Sequence, residues 1–342
     1  MHINKVMMRS LMTVFTIAAL LLQLTPVRAQ GSDQEHLYAV LINGGRNKLT
    51  NHERYWNDCS FLYRTLSQTY RVPKRNITVL MSDGGAPEED MLKADARGFA
   101  SSSTDLDGDG WQDVDYPATE QALAFVFLNL SKKLTTDDHL FVFIVDHGGS
   151  KDRENNSYIW LWNDQQLSDR HLALLLNQFD IGSFNILMGQ CYSGGFMDDL
   201  VREGRIMTTA CSGSEQSWTS PDKPYDEFVY HWTCAINGAD ETGQPIDADT
   251  DGDGEVSMAE AFEYARSHDR VNETPQYASE PEALGAKWTF RRPADIRTEH
   301  MGIRADRSAP VDTWSLSGVR MNSAKRGVYI QRQGDKTRKV IR

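Results

Sequence analysis

Two side chains that could do covalent chemistry follow apolar runs of the sequence, and glycines follow both of them. His147 comes after the apolar run 140–145 and directly before two glycines, and Cys191 comes after the run 184–188, shortly before Gly194. A cysteine nucleophile needs an exposed sulfur and nearby backbone N–H groups, which a strand ending in a glycine turn supplies. A histidine partner stabilises the thiolate and later protonates the leaving group. The pair therefore predicts acyl transfer, with Cys191 as nucleophile and His147 as acid–base group.

The backbone beside this pair offers donors for a developing negative charge. The N–H groups of Gly148 and Cys191 are candidates for an oxyanion hole, a feature typically worth about 3–4 kcal/mol in the transition state. Taken alone, His147 reads as a turn histidine and Cys191 as a buried thiol. Their occurrence together at successive strand ends favours the catalytic interpretation.

The elements that must position these residues alternate between strand and helix patterns. This alternation predicts an α/β fold with a mostly parallel sheet and helices on both faces. In such sheets the ligand site lies beyond the carboxyl ends of the strands. We therefore expect Asn43, His147 and Cys191, which follow the first, third and fourth predicted strands, to converge. The predicted strands are 37–42, 76–81, 140–145, 184–188 and 205–210, and the predicted helices are 53–70, 119–134 and 168–179.

The N-terminus has the pattern of a secretory signal peptide. Lys5 and Arg9 precede the apolar run 11–24, and Ala29 closes a small-x-small cleavage site. The apolar run is shorter than the roughly 20 residues of a membrane span, and no other segment is apolar enough to form one. We expect residues 1–29 to be removed and the mature chain to be secreted or held at the cell surface, with the periplasm as an intermediate.

Charge and cysteine content narrow the possible partners. The chain of 342 residues has a formal net charge of −12, which argues against nucleic acid and anionic membrane surfaces as partners. Four cysteines are too few for a dense disulfide framework in a chain this long. Cys59 lies on an apolar helical stripe and is expected in the core. Cys211 and Cys234 could pair, and the sequence leaves this open.

The residues around the histidine and the cysteine resemble the caspase–legumain clan of cysteine peptidases, and within it the legumain-like family C13. The resemblance rests on His147-Gly148 after one strand, Cys191 after the next, Asn43-Gly44 after the first, and the Thr-Thr-Ala sequence at 208–210. It covers residues 37–232. It implies a caspase-like peptidase domain over residues 30–300 that acts on peptides or proteins.

The same resemblance implies roles for further residues. Asn43 is expected to orient His147, whereas its residue-level alternative is a turn residue in an Asn-Gly pair. Asp226 and Ser217 match residues that hold the P1 side chain of the substrate. Gly189 stands where the family carries an acid, so the preference for a P1 asparagine, aspartate or basic residue stays open.

One acidic run matches the loop of an EF-hand. It has carboxylates at loop positions one, three and five, a turn glycine, a carbonyl ligand and a closing glutamate: Asp249, Asp251, Asp253, Gly254, Glu255 and Glu260. Oxygen ligands at this spacing predict a Ca²⁺ site. A helix is predicted after the loop, over 259–267, but none before it. This is therefore an EF-hand-like loop and not a paired EF-hand domain.

A second acidic run, at 105–116, carries part of the same pattern. Its candidate ligands are Asp105, Asp107, Asp109 and Asp113. Position twelve is Tyr116, so the bidentate acid is either absent or replaced by Asp115. Clustered carboxylates repel one another without a cation. We therefore expect Ca²⁺ to have a structural role in both loops.

The C-terminal segment 311–342 differs from the acidic body. It is basic and β-patterned, with the sequence Leu-Ser-Gly-Val-Arg at 316–320, and it predicts a short β-hairpin. It resembles the C-terminal sorting signals of Bacteroidetes type IX secretion, which implies the secretion machinery as a partner. The alternative is a hairpin that packs on the catalytic domain.

Three functions remain open from the sequence. The first is a secreted, calcium-stabilised cysteine endopeptidase that acts through an acyl-enzyme. The second is a transpeptidase or ligase that uses the same residues. The third is a non-catalytic calcium-binding protein on a peptidase fold. The presence of both Cys191 and His147 favours an enzyme.

Overall fold

The computed structural model describes residues 33–150 and 157–293, and in the tail the strands 311–315, 320–321, 328–333 and 336–341. The predicted signal peptide lies outside the described residues. No helix within the described residues is long and apolar enough to cross a membrane.

The secondary structure alternates as the sequence predicts. The strands of the body are β1 Leu37–Asn43, β2 Ile77–Met81, β3 Met91–Leu92, β4 Phe99–Ala100, β5 His139–Ile144, β6 Gly148–Gly149, β7 Tyr158–Leu161, β8 Gln165–Ser168, β9 Ser183–Met188, β10 Arg205–Thr209 and β11 Gln276–Glu280. The helices are α1 Glu53–Arg64, α2 Glu120–Lys133, α3 Asp169–Leu176, α4 Met197–Leu200, α5 Glu227–Asn237, α6 Met258–His268 and α7 Glu282–Gly285.

Six strands form the central sheet, in the order β11-β10-β9-β5-β1-β2. All neighbours run parallel except β10 and β11, which pair antiparallel. Smaller sheets join β6, β7 and β8, and β3 with β4. The predicted caspase-like, mostly parallel sheet is confirmed.

Helices cover both faces of this sheet because its central strands are apolar on both sides. In β5, Phe141 and Phe143 face a core shared with α1, α5 and α6. Leu140, Val142 and Ile144 face the opposite core, shared with α2 and α3. A strand buried on both faces reads as a continuous apolar run, which is why β5 is recognisable in the sequence.

Side-chain caps set where several helices begin. The hydroxyl of Thr119 accepts from the Ala122 N–H at the start of α2, and Ser168 does the same for α3. Ser257 and Glu260 form a capping box at the start of α6. Each cap satisfies backbone N–H groups that lack an intrahelical partner.

The tail contains more strands than a hairpin. Strands β12 Val311–Ser315, β13 Arg320–Met321, β14 Val328–Gln333 and β15 Lys336–Ile341 form an antiparallel sheet in the order β13-β12-β14-β15. Adjacent strands β14 and β15 pair as a hairpin, with Gln333 opposite Lys336. The predicted hairpin is therefore one part of a four-stranded sheet.

Candidate active site

The sheet topology places the predicted residues at one edge. Strands β1, β5 and β9 are neighbours, and Ile144 is in register with Ile42 on one side and with Met188 on the other. Asn43 ends β1, His147 follows β5 and Cys191 follows β9. The three predicted residues therefore leave adjacent strands at the same end of the sheet.

The turn that carries the cysteine has an unusual backbone. Tyr192, directly after Cys191, has a φ of 59°, in the left-handed region. Its N–H donates to the carbonyl of Glu215 at 2.8 Å, which holds the turn in place. Cys191 is half-buried, and its Sγ lies 3.7 Å from both the carbonyl and the hydroxyl of Ser217. Backbone strain of this kind is common at functional sites.

A buried carboxylate organises the histidine turn. Asp146 accepts from the N–H of His147 at 2.5 Å, and the backbone N–H groups of Gly44 and Gly45 also act on its carboxylate. Burial raises the pKa of Asp146 well above its usual range, while these three backbone donors oppose the rise. A Cβ on Gly44 would lie 2.3 Å from an Asp146 carboxylate oxygen, so only glycine fits there. Asp146 thus ties the β1 end to the His147 turn.

The imidazole of His147 is held by a backbone carbonyl. Its Nε2 lies 2.9 Å from the oxygen of Thr50, and the ring of Tyr55 meets it edge-on with centroids 5.5 Å apart. Because a carbonyl only accepts, Nε2 carries the hydrogen and Nδ1 keeps its lone pair. Burial lowers the pKa of His147. The ring of His52 lies 5.5 Å away, and burial lowers its pKa to about 4.

The histidine and cysteine turns touch through Gly148. A Cβ at this position would lie 1.9 Å from the carbonyl oxygen of Cys191, so a side chain is excluded. The backbone hydrogen bond next to Gly148, between the His147 turn and β7, runs from the Trp160 N–H to the His147 carbonyl. The N–H of Gly148 takes no part in this bond. Within the described residues no hydrogen bond joins Cys191 Sγ to His147. In enzymes, hydrogen bonds between catalytic groups are often long without substrate and tighten when it binds.

Asn43 does not reach the histidine. Its amide nitrogen lies 3.4 Å from the side-chain oxygen of Asn51, and Asn51 in turn donates to Ser82 Oγ at 2.7 Å. Within the described residues no hydrogen bond joins Asn43 to His147, and the orienting role of Asn43 stays a prediction. The orienting contact is the carbonyl of Thr50, next to Asn51, and a backbone carbonyl leaves no signature in a sequence.

Asp226 forms a buried ion pair beside the histidine. Its carboxylate lies 2.7 Å from the Nε of Arg54, on α1, and both groups are largely buried. Burial raises the pKa of Asp226, and the Arg54 cation opposes that rise. Its backbone N–H donates to the carboxylate of Asp58, also fully buried. Three ionisable residues therefore meet at this site: Arg54, Asp58 and Asp226. The sequence analysis predicted only Asp226.

Gly189 faces the core and not a pocket. A Cβ there would lie 2.5 Å from a methyl group of Val229 on α5. The position therefore has no room for the acid that the family carries, and the prediction that it lines the P1 pocket is corrected. Ser217, by contrast, contacts Cys191 as described above.

The loop 249–260 brings together part of its predicted ligand set. Carboxylate oxygens of Asp249, Asp251 and Glu260 lie within 4.8 Å of one another, whereas Asp253 lies outside this group. The Asp249 carboxylate accepts from two backbone N–H groups of its own loop. The side chain of Glu255 accepts from the Arg292 N–H at 3.2 Å, and the predicted ligand role of the Glu255 carbonyl stays a prediction.

The loop 105–116 is organised around a lysine. Lys74 Nζ lies 2.9 Å from Asp107, 2.8 Å from Asp109 and 3.1 Å from Asp113. The hydrogen bond from Lys74 lowers the pKa of Asp109. Asp115 accepts from the Val79 N–H at 2.9 Å, on β2. From the sequence we expected Ca²⁺ to balance these carboxylates, and in the structure the Lys74 cation supplies part of the positive charge.

All four cysteines are free. Cys211 lies 3.5 Å from Ser193 Oγ, behind the nucleophile turn, whereas Cys234 packs with Phe61 and Tyr230 in a separate cluster. The pairing of Cys211 with Cys234 that the sequence left open is absent.

A mostly parallel sheet with helices on both faces, and with a histidine turn and a cysteine turn at adjacent strand ends, defines a caspase-like α/β fold. The chain matches the Peptidase C13 family over residues 37–277 and belongs to that family. Its activity is therefore of the cysteine-peptidase type. It is similar to the crystal structure of protein GSU0716 from Geobacter sulfurreducens, with a TM-score of 0.42 and 14% identity, over 75% of this chain and 97% of that one. No curated protein matches it.

Proposed function

We propose that the protein is a secreted cysteine endopeptidase in which Cys191 is the nucleophile and His147 the acid–base group. The observation that carries this proposal is the contact between His147 Nε2 and the Thr50 carbonyl. It fixes the tautomer with a basic Nδ1, on a turn whose next residue, Gly148, packs on Cys191. A base oriented by a third group is the arrangement that activates a nucleophile.

The chemistry follows from these positions. Cys191 passes its proton to His147 Nδ1, and its sulfur attacks the scissile carbonyl carbon. The N–H groups of Gly148 and Cys191 bind the oxyanion that forms. His147 then returns the proton to the leaving amine as the C–N bond breaks, which leaves a thioester on Cys191. Water, deprotonated by His147, attacks the thioester and releases the acid product with the free thiol.

Arg54 and Asp226 support a preference for a polar, uncharged P1 side chain. They form an ion pair at 2.7 Å, close enough to His147 for Arg54 and Asp226 both to influence its pKa. A cation beside an anion can donate to and accept from one side-chain amide at the same time. A basic P1 residue would be repelled by Arg54, and an acidic P1 residue would be repelled by Asp226. We therefore propose asparagine as the preferred P1 residue, with Ser217 lining the same pocket.

Calcium stabilisation is proposed for the loop 249–260. Three carboxylates converge there without a lysine among them, so the donor set fits a hard divalent cation. Bound Ca²⁺ would neutralise Asp249, Asp251 and Glu260 ahead of α6. In the loop 105–116 the Lys74 cation already neutralises part of the charge, so we propose weaker binding at that loop.

The experiment is a profile of hydrolysis over all P1 residues by the wild type and by the variants Cys191→Ala, His147→Ala and Cys234→Ala. We expect turnover to be highest at P1 asparagine, lost in the first two variants and unchanged in Cys234→Ala, a control thiol in a separate cluster. Wild-type turnover in Cys191→Ala would contradict the proposal. Addition of an amine nucleophile separates hydrolysis from transpeptidation, because a ligase gives the amide product.

A further inference from the structure

The loop that contacts the nucleophile is held from behind by the segment that follows α6. The N–H of Trp218 donates to a carboxylate oxygen of Glu273 at 2.8 Å. One residue earlier, Ser217 contacts Cys191 Sγ. In a second contact, Thr274 Oγ1 donates to the Glu215 carboxylate at 2.9 Å. The backbone carbonyl of Glu215 accepts from a backbone N–H of the nucleophile turn. The position of this loop against the sulfur thus depends on residues 273 and 274.

Glu273 is itself paired with a second carboxyl group. One oxygen of Glu273 and one oxygen of Asp269 are buried without any hydrogen-bond donor. The two side chains are near enough for each to change the pKa of the other. Asp269 uses its other oxygen to accept from the Val271 N–H at 3.1 Å. Two buried carboxyl groups this near cannot both be ionised without strong repulsion, so they share one proton.

We propose that Glu273, joined to Asp269 through this shared proton, is a positioning residue that holds Ser217 and Trp218 against Cys191. This proposal rests on the proposed function, because it takes Cys191 to be the nucleophile. Trp218 is 46% exposed although its N–H is anchored, so its ring is available as a surface for residues of the substrate next to P1. Loss of the anchor is expected to weaken substrate binding more than the chemical step.

The pair makes this anchor sensitive to pH. Burial and the neighbouring Asp269 raise the pKa of Glu273. Burial also raises the pKa of Asp269, while the Val271 N–H opposes the rise. A raised pKa means that the contribution to stability is lost as pH rises through the folded value. The other charged or titratable groups that act on this pair are Asp226, Glu227, Arg270 and Cys211.

Two variants of Glu273 separate the anchor from the proton. Glu273→Ala removes the acceptor for Trp218 and is expected to raise KM about tenfold while kcat falls less than about threefold. Glu273→Gln keeps an amide oxygen for Trp218 and donates its NH₂ to Asp269 without a shared proton. It is expected to stay within about twofold of the wild-type KM at about pH 5.

The readout is KM and kcat on the preferred peptide from about pH 5 up to about pH 10, the value to which burial and Asp269 raise the pKa of Glu273. Glu282→Ala, at an exposed position, serves as the control. We expect the wild-type KM to rise toward alkaline pH and the Glu273→Gln KM to stay flat. A KM in Glu273→Ala equal to the wild-type value would contradict the proposed role of Glu273 but not the proposed function. The same alkaline rise in Glu273→Gln would also contradict only the role of Glu273. A wild-type protein without turnover on any peptide would contradict the proposed function as well.

Discussion

His147 Nε2 lies 2.9 Å from the carbonyl oxygen of Thr50, and this contact fixes which ring nitrogen is basic. Thr50 stands in the loop between β1 and α1, so the end of β1 controls a histidine that follows β5. Which nitrogen of His147 is protonated therefore depends on a loop that contributes no catalytic side chain of its own.

The first prediction concerns pH. Burial lowers the pKa of His147, and the imidazole must be neutral to accept the thiol proton. We therefore expect the acidic limb of kcat/KM to lie below about 6.5, the value for an unperturbed histidine. Because the folded pKa is depressed, the contribution of His147 to stability is present above about 6.5 and lost as pH falls through the folded value. A pH–rate profile checks this, and an acidic limb above that value would contradict it.

The second prediction concerns the contact between Asn43 and Asn51, the residue next to Thr50. Asn43→Ala removes the donor to Asn51 and loosens the loop that carries the Thr50 carbonyl. We expect kcat to fall about tenfold, or about 1.4 kcal/mol of transition-state stabilisation, with little change in KM. Asn129→Ala, on the exposed face of α2, serves as the control.

Asn43→Ala and Asn51→Ala are expected to be non-additive, because both act on one contact. A double variant whose loss in kcat equals the product of the two single losses would show that Asn43 acts by another route.

The third prediction concerns metal removal. If Ca²⁺ binds only the folded state, a hundredfold excess over Kd stabilises it by about 2.7 kcal/mol. We expect a chelator to lower Tm in the wild type, and Glu260→Gln to remove most of that shift. Glu263→Gln should leave it in place, since Glu263 is an exposed acid of α6 that pairs with Arg266 outside the loop. A Tm that does not respond to chelator would contradict calcium stabilisation.

The fourth prediction concerns the tail. A chain ending at Pro310 lacks strands β12 to β15, which pair only with one another among the described strands. We expect full peptidase activity of the purified truncated protein and its retention in the periplasm of its host. Loss of activity with unchanged export would show instead that the tail belongs to the catalytic fold.

The convergence of the histidine and cysteine was predictable because it depends only on strand order and on the carboxyl-end rule for parallel sheets. Helix α5 was missed because nearly all residues of Glu227–Asn237 are buried, and a short buried apolar run does not by itself distinguish a helix from a strand. Arg54 was missed for a different reason. Its pairing with Asp226 joins α1 to the start of α5, and a single sequence carries no signal for a contact at that separation.

The most direct test of the central claim is to locate covalent labelling by a thiol-reactive peptide electrophile with P1 asparagine, using mass spectrometry of the wild-type protein. The account predicts modification of Cys191 alone, a slower reaction in His147→Ala and no label in Cys191→Ala. Rapid labelling of Cys211 or of another cysteine, or labelling of Cys191 at the same rate in His147→Ala, would contradict it.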